Sequence, residues 1–483
     1  MSETIPHWLT KQADLKPNEP AIELVDGSVL TFKELCDRSQ QFARKLASTG
    51  VVKGDHVGVL SNNQVTMIIA VHALSYLGAV GVMLNTRLTA RELQYQINHA
   101  EVSLMISADE LEKEMNELDV DKKITFARLK DMPEKNISLQ SELILSEPFT
   151  IIYTSGTTGF PKGVIHTYGN HWWSAIGSAL NLGLSPQDKW LAVLPFFHVG
   201  GLSIFLKSAI YGMPVYLVEK YDTETVHHAI MHQDVTIISV VTVMVQRLLE
   251  RLGDDRYPKN FRCMLLGGGP APRPMLDEAK EKDVPVFQSY GLTETSSQIV
   301  TLSPRDALNK IGSAGKPLIP AQLKIDSETG GEVGEIHVKG PMVTDGYFKN
   351  DEANTVSFQS GWLKTGDLGY LDEEGFLYVV DRRSDLIISG GENIYPSEIE
   401  SIISGIPEVK EVGVTGRKDA EWGEVPVAFI VKKEGQTLPR QAIIDYLNGT
   451  LAAYKMPKDI YFVNQLPRNA SNKLMRHRLK EKL

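Results

Sequence analysis

Cysteine is nearly absent. Cys36 and Cys263 are the only two in 483 residues, far apart and outside any C-x-x-C spacing. No disulfide framework and no cysteine-built metal site are expected. Both thiols should sit in the core as small residues, in the reducing environment of the cytoplasm. Positive charge is also scarce: 50 lysines and arginines face 60 aspartates and glutamates, a formal net charge of −10. That balance speaks against nucleic acid or an anionic membrane as a partner, so any anionic ligand must meet local positive charge. Long apolar runs are missing. The stretches 67–84 and 235–245 are interrupted by His72, Ser75, Gly78 and Thr242, so no membrane span is expected. The start, Met1-Ser2-Glu3-Thr4-Ile5-Pro6, has no basic segment leading into an apolar one, so no signal peptide is expected either. Repeats and low-complexity tracts are lacking. What remains, 42% hydrophobic and 23% charged, describes a folded chain too long for one simple core. A large domain or two and a smaller one are expected.

The stretch around which the chain is organised runs Tyr153-Thr154-Ser155-Gly156-Thr157-Thr158-Gly159-Phe160-Pro161-Lys162-Gly163. β-Branched and aromatic residues 150–153 read as a strand that delivers a loop of hydroxyls and glycines to a sheet end. Glycines let backbone N–H groups approach phosphate oxygens, the hydroxyls add donors, and Lys162 supplies compensating charge. Pro161 stands where a Walker A loop needs glycine, so a nucleotide is expected but not a P-loop NTPase.

Around this loop, strand and helix patterns alternate, which predicts right-handed crossovers and mostly parallel sheets. Thr31-Phe32-Lys33-Glu34 and Thr89-Ala90-Arg91-Glu92 read as capping boxes that open helices, with Gly50 closing the first. Strands are predicted at 56–60, 79–84, 102–106, 190–194, 215–219, 235–240, 262–266 and 285–289. The charged stretch 109–123 reads as a solvated helix face. From Gln322 onward hairpins take over, with turns at Thr329-Gly330-Gly331 and Asp372-Glu373-Glu374-Gly375. Beyond Asp381 a separate α+β unit is expected. Its elements are a capping box Ser397-Glu398-Ile399-Glu400, a stop at Gly405, a strand at 425–431 and a helix at 439–447.

Four further stretches carry chemistry-bearing residues. Gly267-Gly268-Gly269-Pro270 follows a strand; alone it reads as a turn. Ser289-Tyr290-Gly291-Leu292-Thr293-Glu294 ends another strand. Thr365-Gly366-Asp367 is followed by Arg382, and Pro467-Arg468-Asn469-Ala470-Ser471-Asn472-Lys473 lies near the end. With the loop, they resemble in order and spacing the signatures of the acyl-adenylate-forming enzymes, a superfamily of acyl-CoA synthetases, luciferases and peptide-synthetase adenylation domains.

The resemblance implies an α/β fold. A large N-terminal region of βαβ-built sheets and helices, with a β-rich subdomain, would span 1–383. A small mobile α+β domain would span 384–483, hinged near Ser384. It implies ATP, Mg2+ and coenzyme A as ligands. Thr154, Ser155, Gly156, Thr157, Thr158, Gly159 and Lys162 would cradle the phosphates, and Gly268, Gly269 and Pro270 would form the adenine shelf. Ser289, Tyr290 and Gly291 would line the nucleotide, with Tyr290 packed on adenine. Thr293 would bond the α-phosphate and Glu294 would hold Mg2+. Asp367 would grip the ribose, Arg382 would make a second ribose or phosphate contact, and Gly390 and Gly391 would face the pantetheine tunnel. The catalytic set is then Lys162, Thr293, Glu294 and Lys473, the last neutralising charge that develops between the attacking carboxylate and the α-phosphate.

The resemblance also places the acyl pocket at Pro195-Phe196-Phe197-His198-Val199-Gly200-Gly201. His198 and aromatics stand there in place of the aspartate of amino-acid-activating relatives, which suits an aryl or fatty acid. Lys207 is a lone cation in an otherwise apolar helix. It either meets a second carboxylate on the substrate or snorkels to solvent. The wording around 198, 289–304 and 468–473 resembles the branch that attaches 2-succinylbenzoate, an acid with two carboxylates, to coenzyme A in menaquinone biosynthesis. Another acyl-CoA ligase of the superfamily and a non-catalytic nucleotide-binding regulator stay open as alternatives. A peptide-synthetase module is not expected, because the chain stops soon after Lys473. A homo-oligomer is left open.

Overall fold

The computed structural model describes residues 3–154, 161–268, 271–307, 309–327, 333–382, 385–389, 392–419, 422–448, 451, 453–468 and 474–483. Apolar runs such as Val80–Leu84, Ile237–Val240 and Cys263–Leu266 are buried along their whole length, as strands covered on both faces require. They build two largely parallel sheets. The six-stranded one runs in the order Lys162–Thr167, Pro148–Thr154, Val80–Leu84, His56–Leu60, Leu104–Ser107, Lys123–Thr125, with the first strand antiparallel to its neighbour and the rest parallel. The nine-stranded one is parallel from Val286–Leu292 through Cys263–Leu266, Ile237–Val240, Trp190–Ala192 and Val215–Leu217 to Pro20–Leu24, with antiparallel strands at its edges. One apolar cluster takes residues from both sheets and from the helices Val65–Leu77 and Val199–Tyr211. The two sheets therefore share a core.

The expected hairpins form an antiparallel five-stranded sheet of Gln322–Asp326, Gly334–Lys339, Phe358–Gln359, Trp362–Leu371 and Leu377–Arg382. At its Asp372 turn the carboxylate accepts from the N–H of Glu374 and of Phe376, and Gly375 takes φ +80°. The turn at Thr329-Gly330-Gly331 lies outside the described residues. A further five-stranded sheet closes with helices Pro396–Ser404 and Arg440–Leu447 around its own cluster, from Ile387 to Ile460, while Leu479 of the helix Arg476–Lys480 packs with Val427, Phe429 and Leu466 in a second one. The fold is thus α/β with a large N-terminal domain and a C-terminal domain.

Both threonine capping boxes form, on helices Phe32–Ser48 and Ala90–His99, and both cysteines are buried. Two expectations fail. The C-terminal helix is not opened by a Ser397 capping box: Pro396 occupies the first helical position, where its missing N–H costs nothing. Ser397 instead donates its N–H to Asp381 Oδ2 at 2.9 Å and its hydroxyl to the Val380 carbonyl, while Glu400 pairs with Arg476. The charged stretch 109–123 makes only a short 3-10 turn and the helix Glu112–Asn116 before Lys123 opens a strand. Met115 and Leu118 are the buried residues there, too narrow a stripe for a longer helix. Among the described residues no helix is long and apolar enough to cross a membrane.

Candidate nucleotide site

The strand Pro148–Thr154 turns back as Lys162–Thr167, with Thr154 and Lys162 as register partners. Five of the predicted phosphate contacts, Ser155, Gly156, Thr157, Thr158 and Gly159, fall between them and lie outside the described residues, as do Gly269, Pro270, Gly390, Gly391, Ser384 and Lys473. The described frame around them is specific. Strands Cys263–Leu266 and Val286–Leu292 are parallel neighbours, so Gly267 and the Ser289–Glu294 motif emerge together at their C-terminal ends, the place where α/β sheets bind ligands. Ser289 Oγ donates to the Leu266 carbonyl at 3.0 Å, tying the two motifs together. Gly268 has φ +89°, the left-handed region that favours glycine. At Gly291 a β-carbon would lie 2.1 Å from the Ser297 carbonyl oxygen, which admits no side chain.

The chain then enters a 3-10 turn, Thr293–Thr295, whose N-cap is Leu292. Thr293 is not the cap; the Leu292 N–H is met by Thr295 Oγ1 at 2.8 Å. The turn is fixed from the phosphate hairpin. His166 Nε2 lies 2.7 Å from the Thr293 carbonyl, which can only accept, so Nε2 carries the proton and Nδ1 accepts from Thr150 Oγ1 at 3.3 Å. His171 Nε2 in turn donates to Thr150 Oγ1 at 3.0 Å. Burial holds His166 neutral, its pKa pushed down to about 4.

Lys162 and Glu294 meet on Tyr347. The Lys162 ammonium lies 4.8 Å from the centre of the tyrosine ring, and the tyrosine hydroxyl donates to Glu294 Oε1 at 2.9 Å. Backbone bonds support the arrangement: Phe348 N–H to the Gly163 carbonyl and Thr344 N–H to the Glu294 carbonyl, both 2.8 Å, with Thr344 Oγ1 donating to the Ile165 carbonyl. Among the described residues the second carboxylate oxygen of Glu294 accepts no hydrogen bond, which leaves one hard oxygen for a magnesium ion.

Tyr290 and Asp367 also come together. Tyr290 is 9% exposed, and its hydroxyl donates to Asp367 Oδ2 at 2.8 Å. Asp367 faces Arg382 across the hairpin as its register partner, with Gly366 at φ +72° making the bend.

The two predicted acyl-pocket residues lie on the next layer. His198, half-buried, stands before the helix Val199–Tyr211 with its ring against Phe197. Lys207 does not snorkel: it is 2% exposed, 5.1 Å from the Trp190 ring, with the Gln298 amide oxygen at 3.4 Å. Burial pushes its pKa down to about 7. Gln298 also donates to Ser178, so the lysine reaches the strand that follows the Glu294 turn.

Arg468 and Leu474 form a backbone bridge at the base of the segment that carries Lys473. Two residues on, Arg476 contacts Asp381 at 3.1 Å, Asp385 at 3.0 Å and Glu400 at 2.7 Å, anchoring that segment to both sides of residues 383–384. The three carboxylates hold the guanidinium charged. Tyr347, His166 and Arg476 were invisible to motif reasoning. Each acts on a residue remote in sequence, and no local spacing signals that.

Comparisons with known proteins identify the family. Residues 9–348 match the AMP-binding enzyme family and residues 398–473 the AMP-binding enzyme C-terminal domain. The chain is 57% identical to the 2-succinylbenzoate–CoA ligase of Oceanobacillus iheyensis, over 99% of this chain and 100% of that one. It resembles the solved o-succinylbenzoate CoA synthetase of Bacillus subtilis with its acyl-adenylate intermediate, at TM-score 0.94 and 47% identity over 99% and 98% of the two chains. The same enzyme with ATP and magnesium ion gives TM-score 0.93 and 46% identity over 99% and 100%. The two-domain fold, the nucleotide-site motifs at the strand ends and the full-length likeness make this chain a member of the AMP-binding enzyme family.

Proposed function

We propose that the phosphate hairpin, the Thr293–Glu294 turn and the Asp367 hairpin form the ATP site of an AMP-forming acid–thiol ligase. The enzyme activates 2-succinylbenzoate as an acyl-adenylate and transfers it to coenzyme A, giving 2-succinylbenzoyl-CoA, AMP and diphosphate in menaquinone biosynthesis. The observation that carries this assignment is full-length likeness to ligases of that acid.

Each residue then has a task. Lys162 and the loop Thr154–Gly159 hold the ATP phosphates, while Gly268, Gly269, Pro270, Ser289, Tyr290 and Gly291 seat the adenine. Asp367 and Arg382 take the ribose. Thr293 orients the α-phosphate, its position set by His166. Glu294 holds magnesium, which when bound neutralises phosphate charge. The succinyl carboxylate attacks the α-phosphorus and diphosphate leaves; Lys473 neutralises the charge that builds between them. Catalysis is positioning and charge stabilisation, with no covalent enzyme intermediate. The coenzyme A thiol then displaces AMP. For that step the small domain, 384–483, turns about Ser384, withdrawing Lys473 and presenting the Gly390–Gly391 face beside the pantetheine path.

Lys207 supplies the specificity. A buried ammonium with no carboxylate partner among the described residues is costly. The aromatic carboxylate of 2-succinylbenzoate, left over when the succinyl one is activated, completes the pair, with His198 lining the same pocket. The protein works in the cytoplasm, a reducing compartment that suits its free, buried Cys36 and Cys263. The test is diphosphate release with ATP, coenzyme A and a panel of acids. 2-Succinylbenzoate should turn over far faster than benzoate or a medium-chain fatty acid; preference for either of those would assign a different acyl-CoA ligase.

A further inference from the structure

Lys162 and Glu294 carry opposite charge and both contact one tyrosine, the ammonium over its ring and the carboxylate at its hydroxyl, and among the described residues no ion pair joins them. Tyr347 touches both, by different parts of its side chain. Its ring, 6% exposed, offers the Lys162 ammonium a π-face at 4.8 Å, an attraction that uses none of the three N–H donors and leaves them for phosphate. Its hydroxyl takes one oxygen of Glu294 and leaves the other for a cation. The ring is held edge-on by Phe358 at 5.7 Å. Its backbone is held too: Val164 and Tyr347 are bridge partners, and the flanking Phe348 and Gly346 bond to Gly163 and Ile165 of the phosphate hairpin.

Resting on the assignment of Lys162 to phosphate and Glu294 to magnesium, we propose that Tyr347 is a positioning residue that orients these two groups by separate contacts, so that each meets the nucleotide already placed. The hydroxyl acts on the magnesium side only, and the ring on the phosphate side only. A carboxylate fixed by an outer hydrogen bond binds a cation more tightly than one that must be ordered on binding.

The two halves of the side chain can be removed one at a time, and ATP binding read by calorimetry, with magnesium varied or chelated, reports on each without turnover. Tyr347→Phe keeps the ring and loses the hydroxyl. The magnesium concentration giving half-maximal enhancement of ATP binding should rise about tenfold, while ATP affinity in chelator stays as in the wild type. Tyr347→Leu loses both, and ATP affinity in chelator should fall about two- to fivefold in addition. Melting temperatures control for folding, and the Phe variant suffices should the Leu variant fail to fold. An unchanged magnesium requirement in Tyr347→Phe overturns the proposal. Glu294→Gln separates the two levels. If it shifts the magnesium requirement and Tyr347→Phe does not, only the role of Tyr347 falls; if neither does, the assignment of Glu294 falls and the proposal with it.

Discussion

Lys207 is the side chain on which the proposed specificity rests. In water its ammonium is charged throughout the physiological range; in the protein, burial lowers its pKa to about 7 against 10.5 for the free side chain. At pH 8 the ligand-free site is therefore largely neutral, and an arriving carboxylate restores the charge by drawing a proton from solvent. Calorimetry of 2-succinylbenzoate binding at pH 8, in buffers of different ionisation enthalpy, should show uptake of close to one proton in the wild type and none in Lys207→Met. KM for the acid should rise in the variant, since the aromatic carboxylate is then buried without a partner. Equal proton uptake in both proteins would place that carboxylate elsewhere.

At the scale of elements, the hairpin proposed to hold phosphate is backed by a helix. That helix, Tyr168–Leu182, starts directly after the returning strand, and its capping box pairs Thr167 with Asn170. Asn170 also donates through Nδ2 to the carbonyls of Pro341 and Val343, both at 3.0 Å, tying the helix to the chain that leads to Tyr347. Thr167→Ala should lower stability by about 1 kcal/mol. Asn170→Ala should cost about 1–3 kcal/mol more, because it also strands the buried Val343 carbonyl. Urea midpoints at unchanged slope measure both; equal losses would show that the carbonyl contacts contribute nothing.

The same elements show what a sequence can and cannot disclose. The boxes at Thr31 and Thr89 were legible because cap and partner are three residues apart, and strands such as His56–Leu60 because apolar residues announce burial. Ser397 misled because the same serine-glutamate spacing was claimed by tertiary partners, Asp381 and Arg476. The nucleotide motifs were legible as strings, but their bracing was not. Tyr347 lies 53 residues from Glu294, and His166 lies 127 residues from Thr293. Lys207 was legible as an anomaly of charge, though only the packing decided that it stays inside.

Across the whole molecule, the large domain buries neutral histidines. His7 is pushed down to about 3, His72 and His166 to about 4, and His171 well below 6.5, all chiefly by desolvation. The folded state thus binds fewer protons than the unfolded chain between pH 6.5 and about 4. Stability is full above pH 6.5 and is lost as pH falls through that window, by up to about 1.4 kcal/mol per pH unit for each histidine. The melting temperature should decline from pH 6.5 downward, and less steeply in His72→Leu. A flat profile to pH 5 would mean these rings protonate in place.

The C-terminal domain has a core of its own, and Arg476 ties the segment carrying Lys473 to Asp381 and Asp385. In the proposed mechanism two lobes share one nucleotide, which lets the enzyme lend a cation to the first reaction and remove it for the second. The half-reactions of Lys473→Ala test this most directly, as 2-succinylbenzoate-dependent ATP–diphosphate exchange and as thioester formation from preformed acyl-adenylate. Exchange should fall about a hundredfold or more, the scale of one lost transition-state charge contact, while thioester formation proceeds at the wild-type rate. Equal loss in both would contradict a lysine that serves only the first step, and no loss in either would remove it from the chemistry.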